Sequence, residues 1–322
     1  MKVFITSSIR ECGIKILKEN FSDVEIWESD EKCPKEIILK KASECDAILT
    51  QCFDPIDADV LNHPNLKIVS QAAVGLDNID LEFATNHKIV VAHTPGVLTE
   101  SCADFAWCLL LAISRQLCSS VEYVRNGQWI VNEPQLFNGF DISGKTLGII
   151  GPGRIGQSIA NRAKGFSMQI LYHGPHQKPA FDNTGAKYCS EIDDLLSKSD
   201  FVVISASLNS STKGLINIDK LKKMKRTSIL VNIARGPIVV TEDLYKALNE
   251  GIISGAAVDV IDPEPIPKEH SLLKLNNFII CPHMADATIE TRDKISAIAA
   301  KAIVDALNGR KVEFCANPNV YD

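Results

Sequence analysis

The run Leu147-Gly148-Ile149-Ile150-Gly151-Pro152-Gly153-Arg154-Ile155-Gly156 constrains this chain most, because a short apolar strand feeds directly into a G-x-G-x-x-G turn that opens a helix. Gly151 permits the tight turn, Gly153 lets backbone approach a pyrophosphate, and Gly156 lets the helix pack close on the strand, so the helix N-terminus faces the phosphates. A dinucleotide cradle is the expectation, and a strand-helix turn with no ligand the alternative. The second strand, Gln169-Ile170-Leu171-Tyr172, should end in an acid that grips the adenosine ribose hydroxyls, yet it continues His173-Gly174-Pro175-His176-Gln177-Lys178. With Gly174 in the acid's place, no carboxylate accepts the 2'-hydroxyl or repels a 2'-phosphate, and His173, His176 and Lys178 partly offset such a phosphate. The turn holds no Arg, the residue best suited to two-pronged phosphate recognition. NADP(H) is the favoured cofactor, with NAD(H) as the alternative.

At 322 residues the chain is too long for one ordinary core and too short for three domains, so two are expected. A net charge of -6, with Lys and Arg interleaved among acids, gives no footprint for nucleic acid or an anionic membrane. The ten cysteines show neither C-x-x-C pairs nor regular spacing, so they read as thiols in a reducing compartment, and no Cys/His cluster has metal-ligand spacing. The N-terminus starts as a strand with no cationic-then-apolar leader, and no apolar run reaches about 18 residues. A cytoplasmic protein that acts on a small molecule is the expectation.

Short apolar runs at 3–6, 24–27, 47–49, 67–70 and 89–91 alternate with helix-length segments, which predicts a parallel sheet with crossover helices. Thr94-Pro95-Gly96 marks a domain crossing, after which 99–125 reads as one long helix with Phe105, Leu109, Ile113 and Leu117 on its apolar face. A second alternation at 147–150, 169–172, 201–205, 228–232, 255–258 and 278–281 predicts a six-stranded, doubly wound dinucleotide-binding domain. Residues 288–307 carry helical periodicity, and the tail 312–322 is irregular.

Three motifs follow strands of this second series, where an open sheet forms its ligand crevice. In Val231-Asn232-Ile233-Ala234-Arg235-Gly236-Pro237, the guanidinium of Arg235 is placed to hold a carboxylate. Val258-Asp259-Val260-Ile261-Asp262-Pro263-Glu264-Pro265 puts acids in a Pro-rich turn, and an acid beside an imidazole raises its pKa and fixes its orientation. In Ile280-Cys281-Pro282-His283-Met284-Ala285-Asp286-Ala287-Thr288, His283 follows the final strand. Taken singly these are a surface ion pair, a rigid loop and a structural histidine. Together they supply a substrate anchor, an orienting carboxylate and a proton donor.

With Ala73-Val74-Gly75-Leu76-Asp77-Asn78-Ile79-Asp80 and Thr94-Pro95-Gly96-Val97-Leu98-Thr99-Glu100, these stretches make nearly the whole chain resemble the D-isomer-specific 2-hydroxyacid dehydrogenases, and within them the glyoxylate/hydroxypyruvate reductases. The resemblance implies an α/β protein: a doubly wound parallel-sheet Rossmann domain at 99–288, and a smaller flavodoxin-like substrate domain, discontinuous at 1–98 and 289–322, that closes on it. It implies reduction of a small 2-oxo acid such as glyoxylate or hydroxypyruvate, with Arg235 anchoring the carboxylate, His283 donating the proton and Glu264 orienting His283. By the same match the backbone at Ala73, Val74 and Gly75 binds substrate beside Arg235 and His283, and Asp259 contacts the nicotinamide carboxamide. The remaining cofactor contacts fall on Gly151, Gly153, Arg154, Ile155, Gly156, His173, Gly174, Pro175, Lys178, Ser207, Thr212, Ile233 and Ala234. Family members are commonly homodimers, which makes the helix from Thr99 a candidate interface. Residues around Gln51, Cys52, Phe53 and Leu98, with Trp129 or Phe137 from a partner, are expected to read the substrate's side chain.

Three positions depart from the family pattern. Ser205-Ala206-Ser207-Leu208 replaces a common His and Pro, Cys102 stands where Thr is frequent near the nicotinamide, and Asp286 brings a negative charge three residues after His283. That charge is expected either to raise the pKa of His283, to disfavour an anionic substrate tail, or to face solvent. A 3-phosphoglycerate dehydrogenase-like enzyme and a non-catalytic, NAD(P)-sensing protein similar to the family's corepressors are the competing functions. Formate oxidation is disfavoured by Glu264.

Overall fold

The computed structural model describes residues 1–29 and 31–322, with Asp182 described by its backbone only. The chain forms two compact units, Met1–Leu98 with Ala287–Asp322, and Thr99–Asp286.

In the first unit, β1 (Lys2–Ile5), β2 (Asp23–Ile26), β3 (Ala47–Thr50), β4 (Ile68–Gln71) and β5 (Val90–Ala92) form a wholly parallel sheet in the order β2-β1-β3-β4-β5. This is the flavodoxin-like order. β3, β4 and β5 are buried at every position, as expected of strands covered on both faces, whereas the edge strand β2 is not. Phe4, Ile38, Ile48, Leu61, Val69 and Val91 centre the core. The helix Ile289–Leu307 begins at Thr288, whose side chain accepts the amide of Thr291, and it packs on this sheet, with Ser70 Oγ donating to the Ala299 carbonyl at 2.8 Å. Asn317 helps fasten the irregular tail, accepting the Val91 amide at 2.8 Å and donating to the Ile89 carbonyl at 2.9 Å, while the Ala316 amide donates to the Val91 carbonyl at 2.7 Å.

In the second unit, β6 (Thr146–Ile150), β7 (Gln169–His173), β8 (Lys187–Tyr188), β9 (Phe201–Ile204), β10 (Ile229–Asn232), β11 (Gly255–Val258) and β12 (Phe278–Ile280) form a parallel sheet in the order β12-β11-β10-β9-β6-β7-β8. The alternation predicts six strands, and the structure has a seventh, β8. Two residues long and half exposed, β8 has no apolar run to announce it, but it completes the outer arm of the doubly wound order. The order reverses between β6 and β9, so the glycine turn after β6 lies at the switch point where such sheets bind ligands.

The long helix expected over 99–125 is two helices, Thr99–Ser114 and Leu117–Arg125. Gln116 turns the backbone left-handed at φ 50°, Phe140 donates its amide to the Ser114 carbonyl at 2.9 Å, and Gln116 Nε2 bonds the Asn138 carbonyl at 2.8 Å. The chain at 138–140 thus takes over the end of the first helix. That helix is buried at Leu109 and Ile113 and stacks Trp107 on Phe166 with centroids 4.6 Å apart, but Leu117, beyond the break, is 54% exposed and lies off the buried face. Among the described residues no disulfide joins two cysteines, and no helix is long and apolar enough to cross a membrane.

Candidate functional site

The turn after β6 has the geometry of an anion cradle. Gly151 has φ 103°, and a Cβ there would lie 2.5 Å from the Ala206 amide nitrogen, so no other residue fits without movement. Gly156 is pressed against the Gly151 carbonyl, which draws the helix Arg154–Ala163 onto the strand. At Gly153 a Cβ would meet nothing within 4 Å, so the backbone is open to a ligand. The helix it opens has no acid in its first turn and no side-chain cap, which leaves its first amides and the positive end of its dipole for a phosphate. Arg154 is exposed at that terminus, with Ile155 half-buried behind it. These residues fit a dinucleotide.

At the end of β7, Gly174 is buried, and the turn after it is exposed at Pro175 and His176. His173 Nδ1 donates to the Cys189 carbonyl at 3.0 Å, which leaves Nε2 for a ligand. Lys178 donates its amide to the Tyr172 hydroxyl at 3.0 Å, which curls the turn back over the strand. In the loop after β9, Ser207 is exposed, and the Thr212 hydroxyl accepts the Asn209 amide and donates to the Ser207 carbonyl, each at 2.8 Å. Thr212 shapes its own loop. Ile233 and Ala234 are buried beneath the end of β10.

The ends of β10, β11 and β12 form the second part of the site. His283 Nδ1 donates to Glu264 Oε1 at 2.7 Å, with the imidazole one third exposed. This bond raises the His283 pKa; burial opposes it, and Arg235 lowers the pKa while Asp259 raises it. Arg235, half-buried, donates to the Ala234 carbonyl at 2.8 Å and occupies extended backbone ahead of a short turn, Gly236–Ile238. A Cβ on Gly236 would collide with the carbonyl group of Ile261, so this glycine lets the Arg235 loop and the loop leading to Glu264 touch.

Two buried side chains hold these loops. Asn232 accepts the Ala234 amide and donates to the Arg235 carbonyl, both at 3.0 Å, which fixes the backbone that carries the guanidinium. Asp259, 1% exposed, accepts the amides of Met284 and Ala285 at 2.8 Å each, and its carbonyl accepts the His283 amide at 2.9 Å. It thereby pins the loop of His283, whose backbone is left-handed at φ 52°. Burial raises the Asp259 pKa against the lowering effect of those two amides. Asp286 is half-buried, and its charge acts on Cys102: burial first, then Asp286 and Asp259, push that thiol up to about 12.

In the first unit, the loop after β4 has its carbonyls bonded from behind. Thr94 donates its amide to the Ala73 carbonyl at 3.0 Å, His93 Nδ1 donates to Val74 at 3.1 Å, and Gln71 Nε2 donates to Gly75 at 2.7 Å. Asn78 braces Gln71 and also donates to the Gln51 and Asp54 carbonyls, at 3.1 Å and 2.8 Å. None of the described hydrogen bonds uses the amides of Val74 or Gly75.

The family model for the D-isomer specific 2-hydroxyacid dehydrogenase NAD binding domain matches residues 107–285. A glyoxylate reductase of Thermococcus kodakarensis is 45% identical over 99% of this chain and 97% of its own length. The chain belongs to the D-isomer specific 2-hydroxyacid dehydrogenases. Another relative in this family, a glyoxylate reductase of Pyrococcus horikoshii, is 46% identical over 94% of the chain and 92% of its own. Among solved structures, the TT0316 protein of Thermus thermophilus superposes with a TM-score of 0.92 at 37% identity, covering 98% of this chain and 100% of that one. An NADPH-dependent glyoxylate/hydroxypyruvate reductase of Sinorhizobium meliloti, in complex with NADP and malonate, gives 0.88 at 27% identity, with 99% and 97% covered.

In this 2-hydroxyacid dehydrogenase, His283 and Glu264, both named from their motifs, are joined directly, whereas the side chains that hold the surrounding loops are not announced by any motif of their own. Asn232 lies inside a motif singled out for Arg235, and its conversion from strand residue to strut is visible only in its bonds. Gln71, Asn78 and His93 carry no spacing signal, because their partners are backbone carbonyls and, for Gln71 and Asn78, each other.

Proposed function

We propose that the chain is an NAD(P)H-dependent reductase that converts a small 2-oxo acid, of the glyoxylate or hydroxypyruvate kind, to the D-2-hydroxy acid. The supporting observation is the 2.7 Å bond from His283 Nδ1 to Glu264, which commits one ring nitrogen to a carboxylate and leaves Nε2 to give up a proton. When bound, the reduced nicotinamide supplies the hydride to the substrate's carbonyl carbon. Arg235 anchors the substrate carboxylate and polarises the carbonyl, and His283 protonates the oxygen from Nε2. Glu264 keeps the imidazole charged and aimed. In the first unit, Ala73, Val74 and Gly75 form the loop that receives the carboxylate: with their carbonyls tied behind, the amides of Val74 and Gly75 are the donors assigned to it. On Asp259, each carboxylate oxygen keeps a second lone pair beyond its amide bond, which is assigned to the nicotinamide carboxamide. Ser207 and Thr212, with Ile233 and Ala234, line the cofactor from the loops after β9 and β10.

NADPH is the favoured reductant, because nothing acidic follows β7 to repel a 2'-phosphate and His173, His176 and Lys178 are near its expected place. A homodimer is proposed through the exposed apolar surface that includes Val121, Val124, Trp129 and Ile130, the last 91% exposed. Sedimentation should give a dimer that Ile130→Asp with Val131→Asp converts to monomer.

A steady-state matrix of NADPH and NADH against glyoxylate, hydroxypyruvate, pyruvate and bulkier 2-oxo acids tests the assignment. Turnover of the small acids, faster with NADPH, is expected. Equal efficiency with both cofactors removes the preference, and tight cofactor binding with no turnover replaces the enzyme with a sensor.

A further inference from the structure

We propose that Pro152 and Gly174 form a steric interlock that closes the ribose-gripping position to an acid, so that the pair, and not Gly174 alone, sets the cofactor preference. The inference rests on the cofactor role proposed above. Gly174 is not among the glycines with a left-handed φ, so no backbone strain of that kind reserves the position for glycine. What demands glycine is a neighbour: an added Cβ would lie 2.5 Å from Pro152 Cδ and 2.6 Å from Pro152 Cγ. Neither partner is placed to yield. A change of ring pucker can shift Cγ, but Cδ, the nearer atom, is bonded to the backbone nitrogen and stays with it. Its turn is tied to β7, because Gly151 donates its amide to the His173 carbonyl at 3.0 Å, and Gly151 is itself pressed against Ala206. Gly174 is held from the opposite side, where the Tyr188 hydroxyl donates to its carbonyl at 3.1 Å. The ring caps Gly174 and leaves it buried.

An Asp at 174 therefore cannot take up the ribose hydroxyls while the ring is present. Once Cγ and Cδ are gone, the nearest remaining neighbour is the nitrogen of residue 152 at 3.9 Å, an ordinary contact. The carboxylate then has room to accept the 2'-hydroxyl of NADH and to repel the 2'-phosphate of NADPH.

The test is a double-mutant cycle of wild type, Gly174→Asp, Pro152→Ala and the double variant, read by thermal melting, by fluorescence titration with NADH and NADPH, and by kcat/KM for each. Gly174→Asp alone should lower the Tm and weaken both cofactors. Pro152→Ala alone should leave the ratio of the two affinities near wild type. The double variant should recover Tm and tilt the ratio toward NADH by about tenfold or more relative to wild type, equivalent to about 1.4 kcal/mol. The interlock is overturned if Gly174→Asp keeps the wild-type Tm and shifts to NADH as far as the double variant, or if the Tm effects simply add. Should Gly174→Asp fail to fold, Gly174→Ala with and without Pro152→Ala reads the same overlap from a single methyl group. If wild type binds neither nucleotide, the cofactor assignment falls, while the melting cycle still decides whether ring and Cβ exclude one another.

Discussion

Two groups of strand ends in the second unit work by different means. The turn after β6 and the end of β7 act by shape: an open backbone at Gly153, a glycine at 151 that nothing replaces, and a capped position at 174. The ends of β10, β11 and β12 act by charge: a guanidinium, a carboxylate and an imidazole held by hydrogen bonds. A steric demand is the same at every pH, whereas an ionic arrangement changes with the proton concentration. Substitutions in the first group should therefore alter stability and nucleotide affinity, and those in the second should alter turnover and its pH dependence.

The largest effect is expected at His283. His283→Ala should lower kcat for reduction by about 10²- to 10⁴-fold, the contribution of a positioned acid, with NADPH affinity unchanged. Near-normal kcat would remove His283 as the donor. Gly151→Ala comes next: left-handed backbone and the approach of Ala206 should together cost about 1–3 kcal/mol, seen as a lower Tm and weaker nucleotide binding. If it kept full nucleotide affinity while kcat alone collapsed, the division between shape and charge would be broken.

Glu264→Gln should give the smallest change and the most informative. Glu264 is the principal reason the His283 pKa is raised, and in the proposed mechanism reduction uses the protonated imidazole. Activity is therefore present below the raised pKa and lost as the pH climbs through it. Removing the carboxylate should move that alkaline limb of the kcat/KM profile to lower pH, toward the ordinary histidine value of about 6.5. An unmoved limb would mean that another group sets it. The same sign applies to stability: the bond to charged His283 contributes below the ordinary histidine value and fades as pH rises through the raised one, by a modest amount at a third exposure.

Both parallel sheets were legible in the sequence, because strands covered on two faces must be continuous apolar runs, and helices must cross between them. The glycine turn and the three polar motifs could be placed at strand ends for the same reason. β8 could not: Lys187 and Tyr188 make too little buried surface to register as a run. The break at Gln116 was hidden as well, since neither Gly nor Pro marks it and its cause is a distant segment bonding to Ser114. Pro152 carries no signal of its own between two glycines, because its effect lies in the position of its ring against Gly174. Roles that depend on what lies across from a residue leave no local pattern.

β12 is a three-residue strand at the sheet's edge, where fraying is least opposed, and His283 lies just beyond it. The carboxylate of Asp259 reaches out from β11, one strand further in, to take the amides of Met284 and Ala285. The imidazole thus borrows its rigidity from an interior strand. Amide exchange at Met284 and Ala285 should follow the slow openings of β11 rather than the rapid ones of the edge, which would let the margin of the sheet breathe without moving the His283 imidazole.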